Sequence, residues 1–538
     1  MKKISGILLV LVVLLSAVNC GGSSKSAAGG SAAEPREVTV ALSAASFDLS
    51  PFGGDSGARH TIRWQLYSRL FGPPDLGASI EQLQGEVAKS VKMTAPDTAV
   101  VELYNYVKDS KGNPINAQDV VWCYEYGKTQ VDFGVVNSNL KSIRAIDDYT
   151  VEIVATNSGV GVMQILLYYI PIVSRSWFEK ADASERTGNP ACTGPYQITS
   201  YVSGSSVVLE KVPNFWQNNV SLRSYAQQQP LDKITYLVKT EAAQRTIALE
   251  NKEVDVSQVT STEVYRFQNA DGTPKPEWTV KAIDNGRFNV LMFNCDPKLN
   301  GPFTNQKLRQ AVLYAIDFEA VRLGYGNTDT SGSTMYDFCD GAASDYNTKW
   351  DTEDYYNYNV DKAKQLLAEA GYKPGQLKIR MMNQNSTTAN AGMAVIQAQL
   401  AEIGIAAQIL SYDQALFNTY KFDSTQWDII VDSKFTSGFV VDAWALCFDA
   451  RSFQNGTANF VHDDKLQDLL MKAMLVHDPA SIDDFHYYLK DMAYGAGMFY
   501  NYQFWVAQSG IKKLGTEGTR NIAINISEFA DNYKTVVQ

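Results

Sequence analysis

Three short runs between residues 377 and 410 decide the fold: LKIRMM (Leu377–Met382), GMAVIQAQLAEI (Gly392–Ile403) and IAAQIL (Ile405–Leu410). The first and last are too short and apolar for independent helices and read as strands. The middle run has a helical apolar stripe and is stopped by Gly404, a residue that readily takes the left-handed turn ending a helix. A strand, a helix and a second strand in that order form a βαβ unit. Its crossover is right-handed in nearly every protein, so the two strands lie parallel.

Working outward, the same alternation continues. Ala363, Leu366, Leu367 and Ala370 repeat at helical spacing and end at Gly371. Leu308, Ala311, Val312, Ala315 and Ile316 do so after a cap expected at Thr304. Downstream, a strand is predicted over Trp427–Val431 and helices over Asp464–Val476 and, behind the first-turn proline Pro479, over Ala480–Met492. In the amino-terminal half, Glu37–Leu42 reads as a strand. Val91–Met93 with Val100–Tyr106, and Ser142–Ala155, read as hairpins, and Asn116 with Asp119 has the spacing of a capping box opening a helix to about Lys128. Blocks of strand and helix alternating this way describe α/β lobes, and a function seated between them.

The N-terminus reads as a targeting segment. Lys2 and Lys3 precede an apolar run, Ile4–Val18, shorter than the roughly 20 residues needed to span a bilayer. Cys20 follows, and then the Gly/Ser/Ala-rich tether 21–35, so Cys20 is expected to carry a lipid anchor, with residues 1–20 as a lipoprotein signal peptide. A plain signal peptide cut elsewhere is the alternative, since Ala17, Val18 and Asn19 are not the usual residues before a lipidated cysteine.

The 538 residues carry a net charge of −11, which argues against nucleic-acid partners. Cys123, Cys192, Cys295, Cys339 and Cys447 are widely spaced, odd in number and without a C-x-x-C pair, and are expected to be buried thiols. His60, His462, His477 and His486 are dispersed, so neither a metal site nor a cofactor is expected.

Four blocks carry a resemblance to a known family. These are Thr193-Gly194-Pro195-Tyr196 with Val208–Trp216, then Ile247–Asp255, then Phe303 through Leu308-Arg309-Gln310-Ala311 to Asp317, and finally Ala363–Gly371. Together and in this order they resemble the family 5 solute-binding proteins of ABC importers, the oligopeptide- and dipeptide-binding group. The resemblance implies a periplasmic-binding-protein-like two-lobed α/β fold (type II, cluster C) with an extra inserted domain. Domain I would comprise 36–65, 187–284 and 508–538, the insertion (domain II) 66–186, and domain III 285–507. It also implies an extracytoplasmic monomer and no enzyme activity. Such a protein shuts on its ligand about a hinge and delivers it to a permease and ATPase complex.

In the family's peptide binders an Asp after a strand pairs with the peptide ammonium. By resemblance that position falls here on Ser437 or Gly438, neither of which supplies an anion. Asp432 or Asp442 could substitute. Phe435, Phe439 and Trp444 cluster beyond the same strand and are candidate stacking surfaces for a sugar or a peptide side chain. Phe47 and Asp48, just past the first strand, are the candidates on the other lobe. The expected ligand is an oligopeptide or dipeptide, with an oligosaccharide as alternative.

Catalytic look-alikes weigh little. Gly54-Asp55-Ser56-Gly57 echoes a serine-protease motif but continues into Ala58, and Gly127-Lys128-Thr129 lacks the leading glycine of a P-loop, with Trp122 in its place. A secreted hydrolase, or an adhesin or sensor that kept the scaffold, are the readings from other classes.

Overall fold

The structure, a computed structural model, describes residues 36–43, 48–53, 57–73, 77–130, 133–328, 331–339, 341, 343–435, 438–452, 460–517, 521–530 and 533. Cys20 and the tether lie outside them.

The βαβ unit forms as the sequence predicts. Strands Lys378–Gln384 and Ala406–Tyr412 pair in parallel, Lys378 opposite Ala406, around helix Thr387–Glu402. That helix starts five residues before Gly392, because the Ser386 side chain accepts the Ala389 amide and caps it there. Strand Glu37–Leu42 and helix Asp464–Val476 have their expected bounds, and Asn116 and Asp119 form the reciprocal capping box. Two expectations shift. The cap before Gln306–Ala315 is Asn305, whose side chain accepts from Lys307 and Leu308, while the Thr304 hydroxyl turns back to the Gly301 carbonyl. The strand expected at Trp427–Val431 runs instead over Ile429–Phe435, since Trp427 is enclosed in the core before pairing begins.

Two strands not foreseen from local pattern organise the molecule: Trp278–Phe293 and Gly495–Gln508. They pair antiparallel along most of their length in the middle of an eleven-stranded sheet. On one side the sheet continues through Val256–Val259, Glu37–Leu42, Lys233–Val238, Ser206–Lys211 and Tyr196–Val202. On the other it continues through Ile429–Phe435, Lys378–Gln384 and Ala406–Tyr412. The two ends belong to different cores. One apolar cluster joins Val38, Val40, Leu209, Ile234 and Tyr236 with Val101, Val151, Leu166 and Ile172. The other joins Phe288, Leu308, Met381, Ile396, Ile430 and Leu470. Separate cores make separate lobes, and the two long strands connect them.

Within that connection the pairing loses register between Asp284 and Phe288, around Gly286 at φ 65°. A residue there needs the left-handed region that glycine enters without steric cost. A separate four-stranded antiparallel sheet, Ala88–Ala95, Thr98–Leu103, Thr150–Ala155 and Leu140–Asp147, contains both predicted hairpins. All five cysteines after Cys20 are buried thiols that form no disulfide.

Candidate ligand-binding cleft

Strand polarity locates the cleft. In the first lobe Glu37–Leu42, Lys233–Val238 and Val256–Val259 are parallel, and the last ends opposite Phe504, toward the break in the connecting strands. In the second lobe Ile429–Phe435 ends with Phe435 opposite Arg287, at the same break, and its two parallel neighbours run with it. Both lobes thus aim the carboxyl ends of their parallel strands at one gap, the crevice where open α/β sheets bind ligands. The register break at Asp284–Phe288 lies beside these strand ends.

On the second lobe the rim is built from side chains that close on themselves. Asn383, buried at the end of its strand, donates to the Gln384 carbonyl and to Asn390 Oδ1 at 3.0 Å each, and Ser411 Oγ on the neighbouring strand lies 2.8 and 2.7 Å from the Asn383 and Asn390 amide oxygens. Two adjacent strand ends are thereby held in one geometry. On the third, Lys434 Nζ meets Asp432 Oδ2 at 2.9 Å, both nearly enclosed. Lys421 approaches the same pair. Burial holds its ammonium below the ordinary lysine range, Asp432 pulls it back up and Lys434 pushes it further down. Nothing in the residue pattern marked Lys421 or Lys434, because they come under each other's influence only once the helix at Gln414–Tyr420 packs on the strands Lys378–Gln384 and Ala406–Tyr412.

The sequence candidates are placed as follows. Phe47 and Ser437 lie outside the described residues, as do Asp55 and Ser56 of the protease-like motif. Asp48 accepts the Ser50 amide at 2.8 Å and the Thr187 hydroxyl at 3.1 Å, which ties the loop after the first strand to a segment 139 residues further along the chain. Phe435 completes its strand opposite Arg287. Gly438, at φ 112°, presents its carbonyl to the Ser344 amide at 2.9 Å. Phe439 is 6 % exposed with its ring against His477, and Asp442 sits half-buried in the first turn of helix Val440–Phe448. Trp444 is 0 % exposed and belongs to the core of the second lobe. Gly438, Phe439 and Asp442 are therefore gathered at one strand end, whereas Trp444 is turned away from it, and Asp48 is engaged by Ser50 and Thr187.

A 260 Å³ cavity lined by Asn294, Asp296, Arg380 and Asp428 lies at the other end of the second lobe, where the Arg380–Asp428 pair at 2.9 Å fills its polar wall. Among the described residues there is no group of three or more His, Cys, Asp or Glu able to hold a metal ion, and no helix long and apolar enough to cross a membrane.

With the lobes, connecting strands and opposed strand ends in place, comparison with known proteins is direct. Residues 82–448 match the bacterial extracellular solute-binding proteins, family 5, and the chain belongs to that family. It is thus an extracytoplasmic binding protein of the ABC-importer type rather than an enzyme. Haem-binding protein A of Haemophilus influenzae is 28 % identical over 300 residues, 51 % of this chain and 48 % of that protein, so the match spans about half of that relative. The glutathione-binding protein GsiB of Pectobacterium atrosepticum is 23 % identical over 386 residues, 70 % of each. The oligopeptide-binding protein AppA of Bacillus subtilis, solved with a nonapeptide, superposes with a TM-score of 0.69 at 17 % identity, over 93 % of this chain and all of that one.

Proposed function

We infer that the protein captures short peptides between its lobes and delivers them to the permease and ATPase complex of an ABC importer, working as a monomer held at the outer face of a membrane by a lipid on Cys20. The observation that carries the capture reading is the pair of opposed parallel-strand ends on either side of the register break at Asp284–Phe288. Capture of this kind needs no chemistry on the ligand. It needs a ligand that contacts both lobes, so that the shut state binds it better than the open one. The moving bodies are domain III, 285–507, against domain I, 36–65, 187–284 and 508–538, with the insertion 66–186 carried on domain I.

Two features favour peptide over oligosaccharide. Among the relatives, GsiB is named for glutathione, itself a tripeptide, and AppA holds a nonapeptide. And Phe439 and Trp444, rings that a sugar-stacking reading would use, are spent on packing. The peptide's hold rests on backbone hydrogen bonds to strand-end loops rather than on an ammonium pair, because Asp432 is matched by Lys434.

Thermal-shift screening of the mature chain against dipeptide, oligopeptide and oligosaccharide pools tests this. A peptide at 100 times its Kd adds about 2.7 kcal/mol of stability and raises Tm. Stabilisation by oligosaccharides with none by peptides overturns the ligand assignment.

A further inference from the structure

The second lobe meets the insertion as well as domain I. The Val160 amide of the insertion donates to the Met474 carbonyl at 3.2 Å, and Val160 packs against the second lobe's core. Gly77, also of the insertion, at φ 70°, lies so close that a Cβ there would be 2.7 Å from Ser344 Oγ and 2.9 Å from the Gly438 carbonyl. On the domain I side, near the connecting strands, Ser261 Oγ reaches the Gly326 carbonyl at 3.4 Å.

The surface that receives the insertion comes from three separate chain segments, and one carboxylate joins them. Asp345 Oδ1 accepts the Val440 amide at 2.6 Å, at the first residue of the helix that follows the cleft loop. Its Oδ2 lies 2.9 Å from His477 Nε2, and His477 closes the helix whose last turn offers the Met474 carbonyl. The adjacent Ser344 amide donates to the Gly438 carbonyl, the atom that faces Gly77. Asp345 is nearly buried, its side chain 7 % exposed. It therefore holds the Gly438 side of the cleft and the Met474 side of the interlobe contact as one rigid unit.

We propose that Asp345 is a positioning residue that couples the cleft loop at Gly438–Val440 to a latch in which the insertion, through Gly77 and Val160, closes onto the second lobe. A ligand that orders the cleft loop then also orders the surface that the insertion grips. This goes beyond the capture reading by assigning the inserted domain a part in closure, and it rests on that reading only for the meaning of the shut state.

Hydrogen exchange of the full mature chain without added ligand tests it, followed by mass spectrometry on peptides covering 157–162, 429–435 and 464–476. Asp345→Ala is expected to speed exchange in 157–162 by about tenfold, because the orphaned Val440 amide and His477 no longer hold the docking surface together. Asp345→Asn keeps an acceptor for Val440 and is expected to restore most of the protection. Gly77→Ala leaves Asp345 untouched and is expected to raise exchange in 157–162 alone. Unchanged exchange in 157–162 in both Asp345→Ala and Gly77→Ala overturns the proposal. So does an Asp345→Ala effect that raises 429–435 and 464–476 in equal proportion, the signature of a general loosening of the lobe. Failure of every peptide pool to bind would strike at the ligand assignment and leave these exchange outcomes to decide the latch.

Discussion

The Trp444 indole Nε1 donates to both carboxylate oxygens of Asp337, at 3.0 and 3.1 Å, and neither side chain reaches solvent. The same carboxylate accepts the Phe338 amide at 2.6 Å and faces His486 Nδ1 at 3.3 Å, while Trp350 stacks on that imidazole with centroids 4.1 Å apart. A polar group this deep is tolerated because its oxygens are occupied from several sides. Removing one member strands the others. Asp337→Ala is expected to destabilise the second lobe by about 1–3 kcal/mol, the usual cost of leaving a buried donor such as the Trp444 indole without its acceptor. Urea denaturation followed by tryptophan fluorescence measures it. Trp444→Phe should likewise lower stability and leave ligand preference as it was. A changed preference at unchanged stability would return Trp444 to the cleft.

Gly194, in the Thr193-Gly194-Pro195-Tyr196 block, has a steric duty. Its amide donates to the Leu66 carbonyl at 2.8 Å, and a Cβ would sit 2.6 Å from the Gln65 carbonyl oxygen and from Leu66 C. These are backbone atoms and cannot rotate aside. Gly194→Ala should cost roughly 1–3 kcal/mol through overpacking. Gly301, at φ −69° with open space around its Cβ position, is the contrast. Gly301→Ala should raise stability by about 0.4–1 kcal/mol by restricting the unfolded chain. Equal melting shifts in the two variants would refute the steric account.

Asp255 predicts a pH dependence. Burial raises its pKa, against the lowering effect of the Thr39 amide and the Tyr533 hydroxyl, each 2.7 Å from a carboxylate oxygen. The folded chain therefore holds this proton more tightly than the unfolded chain does. Its contribution to stability is complete below the ordinary carboxylate value of about 3.9 and is lost as pH rises through the elevated folded value. In Asp255→Asn that titration is gone. The stability of the natural chain relative to Asp255→Asn should fall as pH rises from about 4 and then level off. Denaturation curves at stepped pH provide the comparison, and a relative stability that climbs with pH would contradict it.

The anchor is tested at one atom. Cys20→Ser removes the sulfur that would be acylated and should move the protein from the membrane fraction to the soluble one, with loss of labelled fatty-acid incorporation. Retention in the membrane fraction would rule out a lipid on Cys20.

Local chemistry was legible where neighbours in sequence are also neighbours in space. The Asn116–Asp119 box, the Gly404 stop and the apolar face of Leu308, Ala311, Val312 and Ala315 each depend on atoms within about two helical turns, and the structure shows them as read. The helix expected from Gly392 starts at Thr387 behind the Ser386 cap, and the cap expected at Thr304 is its neighbour Asn305, since several polar residues at a helix start compete to accept the same amides.

By itself the sequence determined the kind of protein, parallel α/β lobes and the family blocks, because periodicity, caps and glycine turns are encoded within short windows. Only the tertiary structure decided which strands cross between lobes, that Trp444 answers Asp337 107 residues away, and that Asp345 joins Val440 to His477. Such partners are chosen by how distant segments pack in a dry interior, where each buried donor or acceptor must find a match, and spacing along the chain carries no record of that choice.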